Sequence, residues 1–392
     1  MKPSFEDVQI ALQKQHIDGW LLYDFRRCND LACQFLEIPE SQLLTRRFFY
    51  WIPVRGEPIK IVHAIENPLK DLPGKTLKFS SWQLLEQHLA ETLKGSSRIA
   101  MEYSPRNAIP YVSKVDAGTI EVIRSFGIDV VSSCDILQKF TNVLSQQQVE
   151  MHLTAAEILD ETAEKTWGMI FQAFKANKKV TEYDVQQFIL QQFEEQDCMT
   201  DDPPICAVNE HSADPHYSPT KLTAEVIKPG DFILIDLWCK LNRPKAVYAD
   251  ITRVGVAAKN PTARQLEIFM IVKKAQQAAT DLVKDRFATG KPLHGWEVDQ
   301  AARDVITAAG YGDYFIHRTG HSIDTSDHGS GANIDNLETQ EQRLIIPGTC
   351  FSIEPGIYLT GEFGIRLEYD IYVSLEGIVR VTGGIQDSII SI

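Results

Sequence analysis

Several things are scarce in this chain of 392 residues, and each scarcity closes off a class of protein. Only seven cysteines occur (Cys28, Cys33, Cys134, Cys198, Cys206, Cys239, Cys350), none in a CxxC pair. Neither a disulfide framework nor a zinc-thiolate site is signalled, and they are expected to be small buried residues. No run of eighteen apolar residues exists, so no transmembrane helix is predicted. Basic side chains number 39 against 53 acidic ones, a formal charge of −14. That balance argues against a nucleic-acid partner and against attraction to an anionic membrane. The opening MKPSFEDVQIALQKQH reads as a charged amphipathic helix, not a secretory leader, and the expected location is cytoplasmic.

What is present, 44% hydrophobic and 23% charged residues, is the composition of a globular protein, at a length that suggests two domains. Residues 1–142 alternate between helix and strand patterns. Helices are expected near Phe5–Gln15, Ser81–Leu93 and Val115–Phe126. Strands are expected at Gly19–Tyr23, Arg98–Glu102 and Ile128–Val131, with a hairpin from Phe48–Val54 to Ile59–His63. This is an α/β domain without a catalytic constellation, in which Arg26, Arg27 and Asp30 read as exposed loop charges.

Residues 143–392 form the second domain. Ser145 and Gln148 have capping-box spacing and open a long helix with Val149, Leu153, Ala156, Leu159, Trp167 and Phe171 on one face. Thr181 and Asp184 open another, expected to bury Val185, Phe188, Ile189 and Phe193. Pro261 marks the first turn of a third helix, and Val298, Ala302, Val305 and Ala309 line a fourth that Gly310 ends.

Carboxylates sit where they should not. The stretch FILIDLWCKLNRPKAVYADITR places Asp236 and Asp250 in apolar, strand-like runs. A hairpin folding about Arg243 would lay them face to face, which costs stability unless a cation lies between. Further on, FSIEPGIY and FGIRLEYD repeat the arrangement, with Glu354 and Glu368 symmetric about Gly361 and Arg366 sharing the parity of Glu368. Between the hairpins, three of the ten histidines (His317, His321, His328) fall in one glycine-punctuated run. A lone histidine is usually a satisfied structural group; a cluster beside two acid pairs is not. Four carboxylates and an imidazole suit Mn²⁺, Co²⁺, Zn²⁺ or Fe²⁺, and they exceed the needs of one ion. Two divalent metal ions sharing a hydroxide would perform metal-assisted hydrolysis of an amide or ester.

These motifs resemble the pita-bread metallopeptidases, the family of methionine aminopeptidase, aminopeptidase P and prolidase. The resemblance rests on IDL at Asp236, YADITR at Asp250, HRTGH at His321, SIEPGIY at Glu354 and GIRLEYD at Glu368, and it covers the whole second domain. It implies an α+β chain: a C-terminal pita-bread domain preceded by a smaller creatinase-type α/β domain. It also implies metal ligands Asp236, Asp250, His321, Glu354 and Glu368, with Asp250 and Glu368 bridging and Glu354 doubling as proton shuttle. His216 and His328 would stabilise the tetrahedral intermediate, and His317 and Arg366 would position substrate. The resemblance further implies a homodimer and, as substrate, a proline-containing dipeptide or short peptide, cut as an Xaa-Pro dipeptidase or aminopeptidase. Other uses of the fold are a non-catalytic binding module and an amidase or esterase. This chain departs from the family in a longer loop, Leu241–Lys245, and at Ser322, Asp324 and Gly329.

Overall fold

Trp20 and Leu22 point to one side of a strand and Leu21 and Tyr23 to the other, and all four are buried, so helices must cover both faces. This strand, β1 (Gly19–Asp24), belongs to the first of two units, Met1–Thr141 and Asn142–Ile392; the computed structural model describes residues 4–392. The unit adds β2 (Phe48–Pro53), β3 (Ile59–His63), β4 (Lys75–Phe79), β5 (Arg98–Met101) and β6 (Asp129–Ser132), in sheet order β4-β3-β2-β1-β5-β6. Its helices are α1 (Phe5–Lys14), α2 (Asp30–Phe35), α3 (Trp82–Thr92), α4 (Ala117–Ser125) and α5 (Cys134–Thr141). α1, α2 and α5 pack with Trp20 and Leu22, whereas α3 and α4 pack with Leu21 and Tyr23. The elements α2, β4 and α5 had no counterpart in the sequence reading, being too short for a period to show.

In the second unit two helix pairs alternate with two acid-bearing sheets. α6 (Gln146–Lys175) and α7 (Glu182–Glu195) precede β7 (Cys198–Met199), β8 (Ile205–Val208), β9 (Phe232–Leu241) and β10 (Ala249–Val256). α8 (Ala263–Thr289) and α9 (Gly295–Ala308) precede β11 (Ser322–Ile323), β12 (Cys350–Ile353), β13 (Gly356–Leu359), β14 (Phe363–Arg366), β15 (Tyr369–Val373) and β16 (Val379–Thr382); β17 (Ile390–Ser391) returns to β10. Strand parity separates the two cores. Ile233, Ile235, Leu237 and Ile251 pack with α6 and α7, whereas Phe232, Leu234, Val254 and Val256 pack with α8, α9 and the second set of strands. Asp236 and Asp250 share parity with the latter, so both acids face the seam between the two halves.

The structure corrects several expectations. In the β9–β10 ladder Asp236 lies opposite Thr252 and Asp250 opposite Trp238, so the acids share a face but sit diagonally. The connection is no tight turn at Arg243. Asn242 is drawn to the Asp197 carbonyl (2.8 Å) and Tyr248 N–H to that of Asp324 (3.0 Å), and β10 begins only at Ala249. Thr262, not the residue before Pro261, caps α8, because its hydroxyl accepts the Gln265 N–H while Gln265 reaches back. Phe171 is 47% exposed, one position off the stripe that buries Trp167 and Ile170, and Phe188 is half-buried. Cys28 is exposed and Cys134 half-buried; the other five cysteines are buried. Among the described residues no helix is long and apolar enough to cross a membrane.

Candidate metal centre

The second acid pair is held by two ladders with a common register. β13–β14 pairs Gly356 with Arg366 and β12–β15 pairs Ile353 with Tyr369, both symmetric about Gly361, which takes φ +79 at the turn. Glu354 and Glu368, in the gap between the ladders, therefore face each other. His321 reaches the same place because Gly320 lets two backbones touch: a Cβ there would lie 2.0 Å from the Ser352 carbonyl oxygen. The Ser352 hydroxyl then accepts the His321 N–H (3.0 Å).

These elements bring the predicted ligands together. The Nε2 atom of His321 is 3.7 Å from Asp250 Oδ2 and 3.5 Å from Glu354 Oε1. Its Nδ1–H points at the Ser322 carbonyl (3.3 Å), and burial, then His328 and Arg318, hold its pKa well below the usual imidazole range. The ring is neutral, so Nε2 offers a lone pair, not a proton, to the carboxylates around it. The Thr252 hydroxyl lies 2.9 Å from Asp236 Oδ1 and 2.6 Å from Glu368 Oε2, and its one proton serves one of them at a time. Asp250 Oδ1 and Glu368 Oε1 are shielded from solvent and have no hydrogen-bond partner. Burial first, and then repulsion from Glu368, raises the Asp250 pKa well above the carboxylate range; burial, then Glu354 and Asp236, does the same to Glu368. Burial likewise lifts Glu354 to about 7, against the pull of Arg366 and Arg318. A set of buried oxygens that must otherwise hold protons, beside an unprotonated imidazole nitrogen, fits divalent cations.

Arg366 is the cation built into the site. It bonds Asp236 through one terminal nitrogen, donates from Nε to Thr252 Oγ1 (2.9 Å) and from the other terminal nitrogen to the Tyr358 hydroxyl (3.2 Å). His317 accepts the Tyr358 O–H at Nε2 (2.7 Å), since its Nδ1–H donates to the Arg318 carbonyl (2.7 Å). Both imidazole nitrogens of His317 are therefore engaged, and burial, then the Arg366 charge, lowers its pKa to about 3.

Residues 150–374, more than half of the chain, match the description Metallopeptidase family M24. The chain belongs to this family. It is 35% identical over 178 residues to an Xaa-Pro dipeptidase of Lactobacillus helveticus, an alignment covering 45% of this chain and 44% of that one. The chain thus spans less than half the length of the curated relatives it first matches. A dipeptidase structure from Mycobacterium ulcerans shares the fold with TM-score 0.72 at 21% identity, covering 99% of this chain and 96% of that one. An Xaa-Pro dipeptidase structure from Bacillus anthracis does so with TM-score 0.62 at 22% identity, covering 99% of each. The fold is accordingly the pita-bread one.

The remaining sequence candidates sit at the edge of this M24 centre. The His328 ring lies 4.2 Å from that of His321, centroid to centroid, with its side chain 64% exposed. His216 is exposed in the loop after β8, near enough for its charge to lower the His328 pKa, to which burial and Arg318 contribute more. The departures from the family pattern build the segment carrying His328. Asp324 accepts the Ser326 and Ser330 N–H groups (2.8 and 3.1 Å) and the Asn142 amide (2.9 Å), and the Ser322 hydroxyl accepts the Gly331 N–H (3.1 Å). A Cβ on Gly329 would meet the Asp324 carboxylate at 2.8 Å.

Three acids in this region had not been singled out. Asp370 accepts the Asp250 N–H (2.9 Å), and its position two residues past Glu368 was the available signal. Asp327 lies beside His328, in a polar run where an acid attracts no notice. Glu182 is wholly buried at the start of α7 and accepts the N–H groups of Val208 and Glu225 (both 2.7 Å), the Tyr217 hydroxyl (2.6 Å) and His211 (2.9 Å). It thereby ties down both ends of the loop bearing His216. In sequence it resembled a helix-capping surface acid.

Proposed function

We propose that this M24 protein is a dinuclear metal-dependent peptidase that hydrolyses the bond next to proline, with Xaa-Pro dipeptides favoured over longer Xaa-Pro-Xaa peptides. The observation that carries the metal reading is the convergence of Asp236, Asp250, His321, Glu354 and Glu368, with two shielded carboxylate oxygens left unmet by any protein donor. The proline preference draws on the Lactobacillus helveticus relative named Xaa-Pro dipeptidase, and the dipeptidase lean on the short Glu354–Glu368 hairpin. Asp250 and Glu368 would be the carboxylates shared between the two ions, and Asp236 would help to hold one of them. Two divalent ions, manganese first among them, would supply Lewis-acid polarisation of the scissile carbonyl and a water acidic enough to react at neutral pH.

The chain's own groups do the rest. Glu354, lifted to about 7 by burial, is suited to take a proton from the attacking water and hand it to the departing amide nitrogen. Arg318 donates to His328 Nδ1 at 3.5 Å, which leaves the ring proton on Nε2 as a donor for the oxygen that becomes negative. His216 offers a second donor for that oxygen. His317, having no free nitrogen, positions through Tyr358 and Arg366 and does not contact substrate. The deciding experiment is hydrolysis of Xaa-Pro and Xaa-Pro-Xaa peptides by chelated protein reloaded with Mn²⁺, Co²⁺, Zn²⁺ or Fe²⁺. Turnover is expected with Mn²⁺, and faster on dipeptides; none with any metal on either peptide would sink the reading.

A further inference from the structure

Outside the M24 ligand set, Asp370 and Asp327 each keep a shielded oxygen without a hydrogen-bond partner, but Asp370 is fixed by accepting the Asp250 N–H with its other oxygen. Asp327 has an Oδ1 atom that is shielded from solvent and accepts no hydrogen bond, the same condition as Asp250 Oδ1 and Glu368 Oε1. Its other oxygen lies 3.7 Å from His328 Nε2, longer than a hydrogen bond. One ligand atom from each of His321, Asp327 and His328 lies within 4.8 Å of the others, and one each from Asp250, His321 and Glu368 do the same. His321 belongs to both groups. Asp327 is also close enough to Asp236 and Glu354 for both to repel it, with Arg318 the cation that opposes them.

A structural acid would be placed to accept from a neighbouring N–H or O–H, as Asp324 does three residues earlier. Asp327 instead leaves its shielded Oδ1 without any donor, although one of its oxygens lies within 4.8 Å of a ring nitrogen of His321. Placing an anion beside two other anions without a donor is unfavourable unless a cation comes to all of them. His328 Nε2 is not free to be that cation's ligand while Nδ1 accepts from Arg318, because the neutral ring then carries its proton on Nε2.

We propose that Asp327 is an additional metal-facing carboxylate, a ligand in this chain for the divalent ion held by His321. The inference rests on the metal reading above. It would add a harder, anionic oxygen to that ion's surroundings and raise the ion's affinity, while leaving the affinity for the other ion largely unaffected.

The test is titration of chelated protein with Mn²⁺ alone, followed by calorimetry and by electron paramagnetic resonance of the free ion, for wild type, Asp327→Asn and Asp327→Ala, with Ser326→Ala as control. Wild type and the control should bind two ions. Both Asp327 variants should keep one ion at wild-type affinity and bind the second about 10- to 100-fold more weakly, the range seen when groups supporting a metal are removed. Asparagine keeps the shape and alanine the space, so agreement between them excludes a local misfold. Unchanged affinity for both ions in both variants overturns the proposal, as does a raised KM for dipeptide at unchanged metal affinity, which would assign Asp327 to the substrate ammonium. If wild type itself binds no ion, the failure lies with the metal reading, not with Asp327.

Discussion

Glu182 and Glu368 are both buried carboxylates of the second unit, and they are treated in opposite ways. Glu182 is met by two backbone N–H groups, a phenol and an imidazole, and both its oxygens are used. Glu368 has one oxygen on the Thr252 hydroxyl and one on nothing. In the first unit Glu102 is handled as Glu182 is, accepting from Trp20 (2.6 Å), Asn29 (2.7 Å) and Ser133 (3.0 Å). A buried acid caged by protein donors is complete and organises the chain around it. One left unmet is held ready for something that arrives from outside.

The largest expected effect comes from neutralising an unmet acid. On the proposed two-ion reading, Asp250→Asn or Glu368→Gln should drop peptidase activity by about a thousandfold or more, because a carboxylate charge that would serve both ions is lost. The same change should raise the melting temperature of the chelated protein, since folding no longer has to protonate a buried, repelled carboxyl. A lowered melting temperature would break the comparison, because it would mean the acid was already satisfied by protein. Glu182→Gln should do the reverse. An amide presents a donor where four donors already converge, which costs about 2–4 kcal/mol, visible in a denaturant titration, with Mn²⁺ stoichiometry unchanged. Loss of metal from this variant would show that the cage serves the centre directly.

Acidity separates the two kinds of site further. Burial, the foremost cause, and facing acids raise Glu354 from 4.5 to about 7 and Asp327 from 3.8 to about 8 in the metal-free protein. In those windows the folded chain holds protons that the unfolded chain has lost. Metal-free stability is therefore highest below the unfolded values and falls as pH rises toward the folded ones. Chelated protein should melt higher at about pH 5 than at about pH 8, and excess Mn²⁺ should reverse the order, because ligands must shed protons to bind it. Identical melting curves at both pH values without metal would mean these acids are not strained.

How much of this was visible in the sequence depends on which kind of acid is considered. Asp236, Asp250 and Glu368 stood out because strands otherwise of Ile, Leu, Phe and Tyr should not contain them, and Glu354 because it mirrors Glu368 across Gly361. Their shared face followed from parity, which is local. Their register did not. The two-residue slip between Asp236 and Asp250 is set by contacts of Asn242 with Asp197 and of Tyr248 with Asp324, which are distant in sequence. Glu182 was invisible for the same reason, since its four donors come from positions 26 to 43 residues further on. Asp327 lay in a polar segment that offers no apolar background to make a charge conspicuous. The 241–245 loop, unexplained by resemblance, is part of the connection that joins the two strands at this register.

Arg366 belongs to neither kind of site, and its replacement gives the smallest effect and the finest test. Its three nitrogens serve Asp236, Thr252 and the Tyr358 hydroxyl that holds His317. Arg366→Lys keeps the charge but not the planar fork, so it can serve only one of the three at a time. If Arg366 matters mainly as a charge among unmet acids, the variant should keep stability and metal content within error. If it matters as a fork, Asp236 and Tyr358 are released, and kcat should fall or KM rise by roughly tenfold, about 1.4 kcal/mol, with Tyr358→Phe producing part of the same loss. The geometry favours the fork, because a point charge would need no separate bond to an uncharged phenol. Wild-type kinetics in both variants would leave Arg366 as a counter-charge and make the Tyr358–His317 chain a packing feature of β13.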